Sequence, residues 1–248
     1  MRAFILRRWW LIRNRLMSTI AFALIIPSVL TIITVMGIKN VIIRSINGQP
    51  YEMWVMPGLF MFMAAILVTP LIYRDFFDLR IHHKVLTPIV LSPLRKSNIV
   101  MGILFSSLLE VIFILIIGLI IYSSIFPHTV NFSQGILTLF YSIIFAVLFG
   151  NIIILISLMT ERISFFIYTL MMLLITVMFG CGLFIELDFY PVSMGNVLRY
   201  LPLSMVGIAG RAHLFQHSFD LFNTAIPVIV SGLLIILNGF VLKRKMRQ

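Results

Sequence analysis

Two places in the chain hold residues whose types and spacing could do chemistry. The first is the charged stretch over residues 74–98, which contains Asp75, Asp78, His82 and His83. Carboxylates and imidazoles ligate metals and carry protons, and Asp78 and His82, four residues apart, share a face if the segment is helical. Arg74 and Lys84 are close neighbours, and in a charged loop acids and histidines are ordinarily solvated or salt-bridged to such cations. No metal site is assigned there. The second place is Glu110, an acid inside a long apolar run, with Ser106 and Ser107 on the same helix face. An acid in that setting either lies on an ion or proton pathway or fastens two helices by a hydrogen bond. No Lys, Arg or His within the apolar runs offers itself as its partner, which favours the fastening role. Asn151, beside Gly150 in another apolar run, has the same two readings, again with helix packing favoured.

Other chemistry has no support. None of the 14 glycines is followed by lysine, so a P-loop for nucleotide is excluded. Neither H-E-x-x-H nor G-x-S-x-G occurs, which removes zinc hydrolysis and nucleophile-elbow catalysis. No catalytic, cofactor-binding or metal-ligating residue is assigned. The single cysteine, Cys181, allows no intrachain disulfide and sits in an apolar run as a small packing residue.

The elements that must position these residues follow from composition. Of 248 residues, 61% are hydrophobic and only 11% charged, against roughly a quarter charged in soluble domains. That is the balance of a polytopic membrane protein. The net charge of +11 resides at the edges of apolar runs, where it sets topology and meets anionic headgroups; nucleic acid is not the expected partner. No cleavable signal peptide is read at the N-terminus.

Residues 1–16 place Ile5, Trp9, Ile12 and Leu16 on one helical face and Arg7, Arg8, Asn14 and Arg15 opposite. This predicts a helix lying in the membrane interface. Six spans follow, over about 18–38, 54–73, 99–122, 136–159, 163–184 and 221–242. Trp54 and Tyr73 flank the second as interface aromatics. In the third, seventeen Leu, Ile, Val and Phe residues supply about 5–10 kcal/mol of insertion free energy, which outweighs a central acid costing about 3. Residues 185–218 are broken by Pro191, Pro202, Gly207 and Gly210 and read as short re-entrant helices. Of the 19 Lys and Arg residues, fifteen fall on the side of both termini and four (Lys39, Arg44, Arg199, Arg211) on the other. The bias predicts cytoplasmic termini and an even number of spans. The fold class is thus all-α, six-spanning and integral to the membrane, as one domain over 1–248.

The order of these features resembles the permease subunits of type-2 ABC exporters, and it does so over essentially the whole chain. Ile46-Asn47-Gly48, Tyr51 and Pro57-Gly58-Leu59 look like the family's link before the second span, closest to the branch of lipo-oligosaccharide and drug exporters. Leu91-Ser92-Pro93-Leu94 is similar to its return to the membrane, and Phe189-Tyr190-Pro191, Leu201-Pro202-Leu203 and Arg211 to its outer signature. Leu201 departs from a usual Asn, and His82-His83 from a position often small or acidic. The resemblance implies a half-transporter in a bacterial-type plasma membrane. It would act as a homodimer with two separate ATPase subunits that hold ATP and Mg. It implies a coupling helix over residues 76–86 that docks on the ATPase through Phe77, Ile81 and Val85. It also implies an outer gate near Phe189, Tyr190, Pro191, Pro202 and Arg211. Two rivals are an ion-coupled secondary carrier using Glu110 and a membrane enzyme working through His82 or His83. The substrate is not readable.

Overall fold

A computed structural model describes residues 2–14, 16–39, 41–42, 44–45, 48–82, 95–127 and 131–245. His83, Lys84, Val85, the Leu91–Leu94 motif, Ile46, Asn47 and Arg15 lie outside the described residues. The chain is all-helical: α1 (Arg2–Asn14), α2 (Leu16–Lys39), α3 (Tyr51–Ile81), α4 (Lys96–Ile125), α5 (Phe132–Met159), α6 (Ile163–Gly180), α7 (Val192–Arg199), α8 (Pro202–Gln216) and α9 (Leu221–Lys245). Among the described residues, six of these (α2 to α6, and α9) are long and apolar enough to cross a membrane. Among the described residues, extended pairing is limited to an isolated bridge, Arg44 to Pro50.

The six-span expectation holds, and the boundaries shift for physical reasons. The second span does not end at Tyr73. It runs on through a π-helical segment, Tyr73–Asp78, to Ile81, giving 31 residues or about 46 Å. The foot of α3 therefore carries the first part of the charged stretch as an extension of a spanning helix. The fifth span stops at Gly180, short of residue 184. Gly182 there adopts φ +66°, a left-handed conformation that turns the chain and costs glycine little.

α3 lies at the centre of the bundle, packed on α5, α4, α8 and α2; α9 closes against α5, α8 and α4. Phe60, Phe76 and Phe77 of α3 are fully buried, as are Tyr122, Phe145, Phe149 and Phe166 on other helices. Outward-facing side chains on the spans are apolar, for example Ile33, Phe113, Met172 and Ile236. In apolar surroundings hydroxyls must find partners close by, and here they turn back on their own helices. Thr69 donates to Ala65 O (2.7 Å), Ser142 to Thr138 O (2.7 Å) and Thr176 to Met172 O (2.8 Å).

Residues 185–218 fold as a single 3-10 turn followed by α7 and α8. Pro202 opens α8, where its fixed φ suits the first turn and its missing N–H costs nothing. α8 is mostly buried, through Leu203, Met205, Val206, Ala209 and Leu214.

Asn151 meets a partner that sequence reading passed over. Asn238 of α9 donates from Nδ2 to Asn151 O (3.0 Å), with Asn151 Oδ1 at 3.4 Å, and both residues are fully buried. Asn151 itself donates to Val147 O (2.8 Å). Asn238 Oδ1 has no hydrogen-bond partner, so this contact is half satisfied. Replacing Asn238 with Leu is expected to cost no more than about 1 kcal/mol, since polar contacts between membrane helices average about 0.6. A thermal midpoint in detergent within a few degrees of wild type is the outcome that checks it.

Candidate functional site

The charged residues gather where α1, the foot of α3 and the first half of α4 meet. α1 does not simply present its basic face to water. Arg8 is 3% exposed, whereas Trp9 and Trp10 on the far side are 63% and 67% exposed. The helix was expected to lie with its apolar face down and its arginines out; instead it turns Arg8 into the protein. Phe4 lies beneath it, so close to Gly102 of α4 that a Cβ there would be 2.7 Å from the Phe4 ring.

Arg8 is the hub. Its Nη2 donates to Ser107 Oγ (2.8 Å), and its Nε lies 3.1 Å from Glu110 Oε2 and 3.4 Å from Ser106 O. Its Nη1 is 3.2 Å from Asp75 Oδ2, a charge contact without hydrogen-bond alignment. Asp75 is buried and also receives Arg7 Nη2 and Arg74 Nε, each at 3.3 Å from Oδ1. Three guanidinium groups (Arg7, Arg8, Arg74) thus meet two carboxylates (Asp75, Glu110). Glu110 reaches this hub because side chains on a helix lean toward its N-terminal end, here toward α1.

Removing such charges from water costs several kcal/mol per ion, so each must be repaid by close opposite charge. Burial pulls the Arg8 guanidinium below its ordinary pKa, and Asp75 and then Glu110 pull it back up. The partner missing for Glu110 in the apolar runs is therefore supplied from α1. No signal within the third span could have found it; the clue was an arginine on a tryptophan-bearing helix with no acid nearby in sequence.

The expected docking stripe is placed differently. Phe77 is fully buried and stacks on Phe166 of α6 (4.6 Å between centroids) and Tyr73 (5.6 Å). It is a core residue and is not available to a partner. The cause is the continuation of α3: an aromatic just below a spanning helix finds neighbouring helices before it finds solvent. Ile81 is half-buried against the same core, and Val85 lies outside the described residues. Between them, Arg80 donates from Nη1 to Leu158 O (2.8 Å) and from Nη2 to Thr160 O. It thereby caps the C-terminal carbonyls of α5, a favourable place for a cation. His82 Nδ1 lies 3.2 Å from Asp78 Oδ1. Asp75 is held by three arginines while Asp78 pairs with His82, and among the described residues no group of three metal-ligating side chains forms.

At the opposite end Arg211 is a second pin. It donates from Nη2 to Leu183 O (2.9 Å) and lies 3.9 Å over the Trp54 ring. Trp54 is 5% exposed, so it is an internal platform and not the interface aromatic expected. Tyr51 donates to Phe184 O (3.2 Å) beside it. Of the other outer residues, Tyr190 donates to Phe179 O (3.1 Å), while Phe189 and Pro191 are exposed at the turn before α7. Asp188 pairs with Arg199.

No protein-family model matches the chain, and no curated protein matches it closely enough to show a family. What the fold and the cluster define is a class: an all-helical, multi-pass membrane protein with six membrane-length helices. Its buried charges link helices at one end, and among the described residues no group of three metal-ligating side chains forms.

Proposed function

We propose that this protein is the membrane-spanning permease subunit of an ATP-driven ABC exporter. It forms the substrate pathway as a homodimer, with separate ATPase subunits holding ATP and Mg, in a bacterial-type plasma membrane with both termini in the cytoplasm. The observation that carries this reading is the clamp. A basic N-terminal helix is fastened by Arg7 and Arg8 to Asp75 at the foot of α3, and by Arg8 to Glu110 in α4. Force applied at that end by a soluble partner reaches two spans through short ion pairs instead of a loose loop. On this reading the energy comes from such a partner, since no P-loop occurs in the sequence. The docking surface is then the exposed ground around His82 and α1, with Phe77 supporting it from below.

The test is purification in mild detergent after expression beside a P-loop ATPase encoded with it. Co-purification of the two chains in equal amounts, with ATP hydrolysis in the complex, is expected. Transport by the chain alone in liposomes under a proton gradient, with no ATPase bound, would establish the carrier instead.

A further inference from the structure

Where α4 begins and α9 ends, the two helices cross so closely that a Cβ on Gly239 would lie 2.9 Å from the Ser97 nitrogen. Beside the crossing is a groove of about 380 Å3, with Arg95, Lys96 and Lys243 on its polar rim and Ile236 and Phe240 on its apolar wall. Among the described residues, no acid lines it, and none pairs with Arg95 or Lys243. Lys245, two residues beyond Lys243, shows the contrast: it is paired with Glu161 at 2.9 Å. The apolar wall continues along α9. Ile229, Leu233, Ile236 and Phe240 are 60–66% exposed, and their spacing of four, three and four residues makes one strip about 16 Å long.

We propose that this groove binds one anionic phospholipid, its phosphate between Arg95 and Lys243 and an acyl chain along the α9 strip. Arg95 and Lys243 come from two helices and have no acid beside them among the described residues, so they repel one another unless an anion enters. A lipid phosphate arrives with the apolar tail that the adjoining strip accommodates, and basic pockets between membrane helices are suited to such headgroups. The inference rests on the membrane-spanning fold alone, so it stands or fails apart from the exporter reading.

General attraction between a basic protein and acidic lipid is the competing explanation, and charge-matched variants separate the two. R95Q/K243Q removes two groove cations; R13Q/R244Q removes two exposed cations elsewhere. Binding of phosphatidylglycerol and phosphatidylcholine to the full chain in detergent would be read by native mass spectrometry. Phosphatidylglycerol is expected to bind wild type at least about tenfold more tightly than phosphatidylcholine. R95Q/K243Q should weaken it by about thirtyfold, and R13Q/R244Q by less than about threefold. Equal weakening by both pairs, or equal binding of the two lipids, would overturn the site. Inorganic phosphate at matched concentration should leave phosphatidylglycerol bound; efficient competition would make the occupant a free anion and overturn the lipid.

Discussion

Asp75→Asn is expected to lower the stability of the protein in detergent by about 3–5 kcal/mol, the cost of breaking a buried ion pair while leaving its partner in place. For a chain of this size that corresponds to a thermal midpoint lower by on the order of 10 °C. The side chain of Asp75 is 5% exposed and faces three arginines, two of them at least partly withdrawn from water. Asn keeps the shape but takes away the negative charge that Arg7 and Arg74 share with Arg8. Glu110→Gln is the informative comparison. Its carboxylate meets one arginine, its side chain is 13% exposed, and Arg8 would still have Asp75. A neutral amide oxygen can still accept a hydrogen bond from Arg8, so a loss of about 1–2 kcal/mol and near-normal membrane yield are expected. Equal loss from both substitutions would show that Glu110 is as much a structural pin as Asp75. Thermal unfolding followed by size-exclusion of the detergent-solubilised protein measures both.

The second large effect is expected at a position with no charge. A Cβ on Gly58 of α3 would overlap the Leu183 carbonyl oxygen and lie 2.8 Å from its carbonyl carbon, with Arg211 Nη2 at 3.0 Å. The obstacle is backbone on one side and a guanidinium held over Trp54 on the other, so neither neighbour can swing away. Gly58→Ala should therefore cost about 3 kcal/mol, at the upper end for overpacking, and displace Arg211 from Leu183. Gly232 in α9 supplies the control, because a Cβ there meets nothing within 4 Å. Gly232→Ala should be neutral or stabilising by up to about 1 kcal/mol through helix propensity. If Gly58→Ala also left the thermal midpoint unchanged, the close approach of the 181–184 turn to α3 would be wrong.

Hydropathy made the six spans readable because in lipid every backbone group must be satisfied within its own helix, so a span has to be a long unbroken apolar segment. The same signal misplaced the end of the second. It falls away at Arg74, but the helix continues, since Asp75 is neutralised by α1 and Phe76 and Phe77 are buried by neighbouring helices. Charge in sequence suggests exposure, yet Asp75 is buried. Glu110 and Asn151 were legible as residues with something to do, being polar groups in apolar runs. Their partners, Arg8 and Asn238, were not, because about a hundred residues of chain separate Arg8 from Glu110 and nothing local to either names the other. Asn238 carried the same signal as Asn151 and could have been matched to it. Arg80 gives no such signal: a cation within a charged stretch looks solvated until α5 brings its last carbonyls alongside.

The central claim is that α1 belongs to the bundle through Arg8 and does not merely rest on lipid. Hydrogen exchange of the α1 amides, compared between wild type and Asp75→Asn in the same lipid nanodiscs, tests it most directly. Protection over residues 2–14 close to that of the first half of α4 in wild type, and lost by at least tenfold in the variant while α5 stays protected, is the expected result. Equal protection of α1 in both proteins would contradict the clamp and leave α1 as a helix held by the membrane surface alone.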